Sequence, residues 1–131
     1  MPSAKELFLA YLGNVNDLVK IIDLFDHGAI IEIPYLHSLG MPWQWKGKEA
    51  ILQFLQGLPS IFTSFDIQNI RIHIDTPNQA FGEYEVWSTV KATGLPYNQK
   101  YMGRLVSENG KIQLIREALD MTEVTKSMLS K

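Results

Sequence analysis

The amino-acid sequence predicts an α+β domain in which helices pack on one face of a curved antiparallel sheet. Hydrophobic residues recur at helical spacing in the first half of the chain, up to about residue 56. From Phe65 onward apolar and polar residues alternate, which is typical of strands that bury one face. Helices followed by a meander of long strands are characteristic of the α+β class.

A capping box marks the start of the first helix. Ser3 stands three residues before Glu6, and this spacing lets each side chain bond the backbone N–H of the other residue. The apolar stripe of this helix comprises Leu7, Phe8, Ala10, Tyr11 and Leu12. Gly13 and Asn14 are expected to end it.

A second helix is predicted from about Asp17 to just before Gly28. Its apolar residues repeat at helical spacing and are Leu18, Ile21, Ile22 and Phe25. His27, next to Gly28, is expected to cap the C-terminal end and to interact favourably with the helix dipole.

A strand, a loop and a third helix follow. Residues 29–35 are rich in β-branched side chains and end at Pro34, which indicates a short strand. Residues 35–46 are predicted to form an aromatic-rich loop. The third helix is expected from residue 48 to about residue 56, because Gly57 and Pro59 should stop it.

Turn sequences divide the rest of the chain into strands. The turns are centred on Thr76-Pro77-Asn78, on residues 93–96 and on Glu108-Asn109-Gly110. They separate four predicted strands, which cover residues 65–75, 80–92, 97–107 and 111–121.

Composition limits the class of protein. The chain has 131 residues, 46% of them apolar, which fits one domain over residues 1–131. A net charge of -2 with scattered lysines and arginines argues against a nucleic-acid surface. No apolar run is long enough for a membrane span, and the N-terminal residues do not resemble a signal peptide, so we expect a cytoplasmic protein.

Metal sites and cofactors are not expected either. The chain has no cysteine, and its three histidines stand on separate predicted elements without the spacing of a metal site. His73, for example, belongs to the polar side of its strand.

Glu117 is the strongest candidate for a functional group. Strand alternation places it on a face of the last strand that it shares with apolar side chains, together with Gln113, Ile115, Leu119 and Met121. If that face lines a concave interior, loss of water should raise the pKa of the carboxyl. The alternative is a structural ion pair, for which Arg104 on the neighbouring strand is the expected partner.

The loop over residues 35–46 supplies further candidates. His37 could relay protons near neutral pH, or it could simply lie in solvent. Trp43 and Trp45 could stack on a flat ligand, or they could pin the loop to the domain.

One face of the central strand predicts self-association. Phe81, Glu83, Glu85 and Trp87 share a side that should point away from the helices. Because two large aromatic side chains would otherwise be exposed to water, we expect this face to pack against a second copy in a two-fold dimer.

Short motifs along nearly the whole chain resemble the nuclear transport factor 2-like superfamily. They are the strand ending in Pro34, the sequence GKEAI at residues 47–51 and the sequence ENGKIQLIREALDM at residues 108–121. The similarity is strongest to the SnoaL-like branch, which includes ketosteroid isomerase, polyketide cyclases and the phenazine-biosynthesis A/B proteins. This resemblance implies a cone-shaped curved antiparallel sheet, with three helices from the N-terminal half on its concave face, around a pocket.

The resemblance to ketosteroid isomerase does not extend to its polar groups. Ile33 falls where that enzyme has its aspartate base, Leu9 where it has a tyrosine, and Met102 where it has a second acid. The chain is therefore not expected to be a ketosteroid isomerase. The phenazine A/B proteins have a terminal Arg-Glu pair like Arg116-Glu117, in which the glutamate is an acid in the pocket, although their histidine and serine on the third helix have no counterparts here.

Together these features predict a pocket for a small aromatic, polyketide-like or terpenoid-like molecule. The chemistry expected there is cofactor-free isomerisation, cyclisation or dehydration, with Glu117 as acid or base, Arg104 or a tyrosine steadying charge, and His37 as a relay. The resemblance implies that Tyr84, Val86 and Ser88 face the pocket. The full set of residues expected to contact the ligand is Ile33, Trp43, Trp45, Tyr84, Val86, Ser88, Tyr97, Tyr101, Met102 and Leu119. Two alternatives are a non-catalytic binding protein and a dimerisation domain with a filled cavity.

Overall fold

The computed structural model of the chain describes residues 1–129, so the last two residues of the predicted domain lie outside the described part. The helices are α1 (Ala4–Gly13), α2 (Leu18–Ile22), α3 (Lys48–Ile61) and α4 (Met121–Val124). The strands are β1 (Phe25–Glu32), β2 (Gln44–Lys46), β3 (Ile67–Thr76), β4 (Gln79–Thr89), β5 (Pro96–Glu108) and β6 (Lys111–Leu119). A 3-10 helix, Pro34–Leu39, follows β1, and a π-helical turn, Thr125–Leu129, follows α4.

The six strands form one open, curved sheet in the order β2-β1-β6-β5-β4-β3. The predicted α+β class, with helices against the concave face, is confirmed. One detail differs, because β1 runs parallel to β6 whereas every other neighbouring pair is antiparallel. The sheet is therefore mixed, and its single parallel pair joins the first strand to the last.

The predicted start of α1 is confirmed in atomic detail. Ser3 Oγ accepts a hydrogen bond from the Glu6 backbone N–H at 3.2 Å, and Glu6 Oε1 accepts one from the Ser3 N–H at 2.9 Å. The buried side of the helix comprises Ala4, Leu7, Phe8, Tyr11 and Leu12. It packs against β3, β4, β5 and β6, so α1 covers the middle of the sheet.

The prediction for the second helix is wrong beyond Ile22. Phe25 begins β1 and pairs with Ile112 of β6, and its side chain is buried. His27 and Gly28 consequently lie within β1, where His27 caps no helix. An apolar run as short as the one that ends at Phe25 fits both a helix and a strand by its spacing. Its pairing with β6 makes the segment from Phe25 onward a strand.

The third helix is longer than predicted, because α3 continues through Gly57 and Pro59 to Ile61. Proline removes one backbone donor and its ring crowds the preceding turn, at a cost of about 3 kcal/mol in an exposed helix. Here the last turn buries Leu58, and Phe62 after it donates its N–H to the Leu58 carbonyl at 2.9 Å. Burial of these apolar side chains offsets the cost of the proline.

A β-bulge near the start of β6 changes which residues face inward. Val106 pairs with Leu114 whereas Ser107 pairs with Ile112, so Gln113 is an extra residue in β6. Ile112 is therefore fully buried together with Ile115, although simple alternation placed Ile112 and Ile115 on opposite faces. Glu117 lies beyond the bulge, and its predicted inward direction is unaffected.

Candidate active site

A cavity of about 220 Å³ lies between the concave face of the sheet and the helices. Its wall is apolar except for one carboxyl group and several tyrosine hydroxyls. The apolar part includes Val15, Phe54, Leu58, Phe62, Ile67 and Val124. Side chains from α1, α3, the sheet and the C-terminal segment all contribute, so the cavity is a feature of the complete fold.

Glu117 of β6 is the one charged residue that lines the cavity within residues 1–129. Only 7% of its surface is exposed, and the Tyr84 hydroxyl donates a short hydrogen bond to its Oε2. Every polar side-chain atom of the buried residues within residues 1–129 has either a hydrogen-bond partner or solvent access. Since Oε1 has no hydrogen-bond donor, this oxygen keeps solvent access, and Glu117 is one of the residues that line the cavity.

Burial raises the pKa of Glu117 to about 7, and the hydrogen bond from Tyr84 partly opposes the rise. Within residues 1–129 the ion pairs formed by lysine, arginine and histidine involve other acids, and none involves Glu117. The carboxyl therefore exchanges its proton near neutral pH, as a general acid or base at that pH requires.

A glycine beneath Tyr84 makes the hydrogen bond to Glu117 possible. Gly103 of β5 is paired with Gly82 on one side and with Glu117 on the other. A Cβ atom at residue 103 would lie 2.2 Å from the Tyr84 Oη and 3.1 Å from Phe8 Cζ. The Tyr84 side chain thus occupies the space that any side chain at residue 103 would need.

Three further tyrosines line the cavity. Tyr97 and Tyr101 share a hydrogen bond of 2.8 Å between their hydroxyl oxygens, and the Tyr101 ring stacks on that of Tyr84 with 5.5 Å between centroids. Burial raises the pKa of Tyr97 to about 12 and the pKa values of Tyr11, Tyr84 and Tyr101 well above 10. All four are therefore neutral hydroxyl groups at physiological pH.

Several predicted contact residues do line the cavity: Ile33, Trp45, Tyr84, Tyr97, Tyr101 and Leu119. Trp45 also stacks on Phe54 with 4.0 Å between ring centroids. Val86 is completely buried in the core, and Ser88 bonds the Ser64 backbone N–H at 3.2 Å. Neither of these two residues is part of the cavity wall.

Arg104 and Met102 lie on the wrong side of the sheet for the roles predicted. Inward and outward side chains alternate along β5, and Tyr97 and Tyr101 point inward. Arg104 is three residues beyond Tyr101, so its side chain points outward, where it donates to Gln79 Oε1 at 3.2 Å. Met102 is 52% exposed on the same outer face. Neither the predicted ion pair of Arg104 with Glu117 nor a contact of Met102 with a ligand is compatible with this arrangement.

The 3-10 helix carries His37 away from the cavity. Its side chain is exposed, and its ring lies 6.1 Å from that of Trp43. Trp43 packs with Ile33 and Leu36 instead of lining the cavity. A proton relay from His37 to Glu117 is therefore not supported, and Trp43 fixes the loop to the domain.

The C-terminal segment was missed by sequence reasoning. The last strand was expected to run to residue 121, but Asp120 caps α4 through hydrogen bonds from the N–H groups of Thr122 and Glu123. Val124 and Met128 then complete the wall of the cavity. The cap sequence, an Asp followed three residues later by a Glu, was a usable signal that strand alternation obscured.

Tyr11 was also missed as a wall residue. It was assigned to the apolar stripe of α1, and Leu9 was placed at the position of a polar group in ketosteroid isomerase. In the structure Tyr11 lines the cavity, whereas Leu9 is 42% exposed on the outer side of α1. Leu9 and Met102, two of the residues aligned with polar groups of ketosteroid isomerase, therefore do not face the cavity.

Comparison with known proteins identifies the fold. The profile of the SnoaL-like domain matches residues 7–115. The chain belongs to the SnoaL-like family. The matched region ends before Glu117, so the family assignment rests on the sheet and helices rather than on the carboxyl group.

The SnoaL-like assignment agrees with individual relatives. The uncharacterised protein YesE of Bacillus subtilis (strain 168) is 30% identical over 112 residues, covering 84% of this chain and 74% of YesE. A nuclear transport factor 2-like protein of unknown function from Burkholderia pseudomallei has a TM-score of 0.84 at 13% identity, over 99% of this chain and 100% of that one. A phenazine biosynthesis-related protein from Pseudomonas aeruginosa has a TM-score of 0.83 at 17% identity, over 98% and 86% of the two chains.

No helix within residues 1–129 has the length and apolar character needed to cross a membrane. The same residues contain no cluster of three or more His, Cys, Asp or Glu side chains that could hold a metal ion.

Proposed function

We propose that this SnoaL-like protein binds a small, mainly apolar molecule in its cavity and that Glu117 moves a proton on that molecule without a cofactor. The observation that carries the proposal is a buried carboxylate with one oxygen free of protein donors, in a cavity wall whose other polar groups are tyrosine hydroxyls. A buried acid that exchanges its proton near neutral pH is typical of sites of proton transfer.

The size of the cavity limits the substrate. An apolar cavity of about 150 Å³ holds benzene. The larger volume here, about 220 Å³, leaves room for one ring with a few substituents. We therefore favour single-ring compounds over polycyclic ones. An open cavity also argues against a filled cavity that serves only dimerisation.

Charge limits the substrate further. Lysine, arginine and histidine are absent from the residues that line the cavity in the described chain. An anionic ligand would meet the Glu117 carboxylate with no cation to balance it, which is costly in an apolar site. We therefore expect an uncharged ligand with one polar group.

Isomerisation of an unconjugated cyclic enone illustrates the proposed chemistry. The Glu117 carboxylate removes a proton from the carbon between the carbonyl and the double bond, and charge moves onto the carbonyl oxygen. The protonated Glu117 then returns the same proton to the far carbon of the former double bond, which leaves the conjugated enone. A hydroxyl of the Tyr97–Tyr101 pair is suited to donate a hydrogen bond to the charged oxygen. Arg104 has no part in this step.

A single substitution separates catalysis from binding. We expect wild-type protein to convert 3-cyclohexen-1-one to 2-cyclohexen-1-one, followed by the ultraviolet absorbance of the conjugated product. Glu117→Gln should reduce the rate by about 100-fold or more, because general acid–base catalysis contributes at least that much. Binding of 2-cyclohexen-1-one, measured by NMR, should be retained, since the amide keeps the shape and polarity of the side chain.

The other outcomes are equally informative. Binding by both proteins with no turnover in either would favour a non-catalytic binding protein. Absence of any binding to wild-type protein would contradict the proposal. Glu108→Gln, which changes an exposed acid at the end of β5, is the matched control and should behave as wild type.

We also propose that the outer face of β3, β4 and β5 forms a two-fold dimer. Trp87 is 53% exposed, and Ile74 and Met102 are 64% and 52% exposed on the same face. Sedimentation at micromolar concentration should therefore give the mass of a dimer. Trp87→Glu should shift the protein towards monomer, because it places a charge in the proposed interface. A monomeric mass for the wild-type protein at this concentration would contradict the proposed dimer.

A further inference from the structure

We propose that Tyr84 and Gly103 are positioning residues for Glu117, in that they commit one carboxylate oxygen to the protein and leave the other to exchange a proton with the ligand. This inference rests on the proposed role of Glu117 in proton transfer. It assigns a purpose to Tyr84, one of several tyrosines expected to contact the ligand, and to a glycine that was not predicted at all.

The hydrogen bond gives the two carboxylate oxygens different roles. Tyr84 Oη donates to Oε2, whereas Oε1 has no protein donor and is accessible. When the acid is protonated, its proton is favoured on Oε1, because Oε2 already accepts a hydrogen bond. The proton therefore sits on the oxygen that faces the ligand. A carboxyl group free to rotate would present either oxygen.

Gly103 provides the space that this arrangement needs. The Tyr84 ring lies beneath α1 with its edge against Phe8, at 5.8 Å between ring centroids, and its hydroxyl passes over Gly103 to reach Glu117 on the next strand. The 2.2 Å separation between the Tyr84 Oη and a Cβ at residue 103 is far inside van der Waals contact. Alanine at residue 103 would therefore displace the tyrosine hydroxyl from the carboxylate.

The electrostatic effect has a definite sign. A hydrogen bond donated to the ionised carboxylate stabilises it, so Tyr84 holds the pKa of Glu117 below the value that burial alone would produce. The other titratable groups that line the cavity near Glu117 are Tyr11 of α1 and Tyr97 and Tyr101 of β5, all of them neutral phenols. With no cation among them, the Tyr84 hydroxyl is the main group that stabilises the carboxylate.

Titration of the Glu117 carboxyl carbon by 13C NMR tests the proposal without any substrate. Tyr84→Phe removes only the hydroxyl, and Gly103→Ala should remove the same hydrogen bond by displacement. Both should raise the pKa of Glu117 by about one unit. In the enone assay, the pH at which activity reaches half its maximum should rise by the same amount in both variants.

Two matched controls separate positioning from general destabilisation. Gly82→Ala adds a methyl group at the neighbouring paired position, where the Cβ would meet the Arg71 carbonyl oxygen at 2.6 Å, so it disturbs the β3–β4 pairing rather than Tyr84. Tyr101→Phe removes a hydroxyl that bonds Tyr97 and not Glu117. Both should leave the Glu117 titration unchanged.

The proposal is overturned if Tyr84→Phe leaves the Glu117 pKa unchanged or lowers it, or if Gly82→Ala and Tyr101→Phe raise it as much. If Tyr84→Phe raises it and a folded Gly103→Ala protein titrates as wild type, the role of Gly103 is overturned. Because the titration needs no turnover, an inactive protein with the expected shifts would contradict the proposed function and still support the positioning.

Discussion

Glu117→Gln should make the protein more stable at pH 8 and should remove part of the pH dependence of its stability. In the unfolded chain Glu117 ionises near its ordinary value of 4.5, whereas in the folded protein it retains its proton up to about pH 7. Between these values the folded state binds more protons than the unfolded state. The free energy of unfolding therefore falls as the pH rises through this window and levels off above it.

The expected effect of this substitution is large. The difference between the pKa values of Glu117 in the folded and unfolded states lowers the free energy of unfolding at high pH by an amount on the order of 3 kcal/mol. Glutamine carries no charge, so the variant should exceed wild type by about this amount at pH 8 and should match it at pH 4.5. Urea unfolding at several pH values measures the difference. Glu108→Gln serves as the control, and a difference that is constant or reversed with pH would contradict the buried acid.

Gln99→Ala should destabilise the protein by about 3 kcal/mol and should loosen the C-terminal segment first. The Gln99 side chain is fully buried, accepts a hydrogen bond from the Asp120 N–H at 2.7 Å and donates one to the Asp120 carbonyl at 3.0 Å. Alanine removes both hydrogen bonds and leaves the Asp120 N–H without its partner, whereas the Asp120 carbonyl still accepts a hydrogen bond from the Val124 N–H at 3.2 Å. A lost hydrogen bond costs about 0.5–1.5 kcal/mol, and a backbone N–H left unpaired costs about 1–3 kcal/mol.

Hydrogen exchange of the backbone amides identifies the part of the chain that Gln99→Ala destabilises. The amides of Val124 and Ser127 should exchange faster in Gln99→Ala, because Asp120 anchors the segment that holds them. Gln79→Ala, which removes an exposed glutamine bonded to Arg104, should change stability by less than about 0.5 kcal/mol. Unchanged exchange in α4 of the Gln99 variant would mean that Gln99 does not anchor the segment.

Strand alternation was sufficient to find the carboxyl group, because Glu117 lies beyond the bulge in β6 and its neighbours are apolar. The same rule applied to β5 would have excluded Arg104, since Arg104 and Tyr101 are an odd number of residues apart. Only its position on the adjacent strand favours Arg104 as a partner of Glu117. Alternation along each strand is thus more informative than proximity between strands.

Other features of the site depend on contacts that no local pattern reveals. Pro59 within α3 is tolerated because Leu58 and Phe62 are buried by distant parts of the chain. The bulge at Gln113 is a matter of register between β5 and β6. The space above Gly103 is filled by Phe8 and Tyr84, which are almost 80 residues apart in sequence.

The parallel contact between β1 and β6 has a consequence for how the protein is made. During synthesis on the ribosome β1 emerges early, yet the strand that joins it to β5 emerges only after more than 80 further residues. Until then β1 and β2 cannot be joined to β3, β4 and β5, so one edge of each group has no partner strand. Folding that waits on such distant pairing is slow, and exposed edges invite aggregation. The strand that carries the acid is thus also the strand that joins the two parts of the sheet.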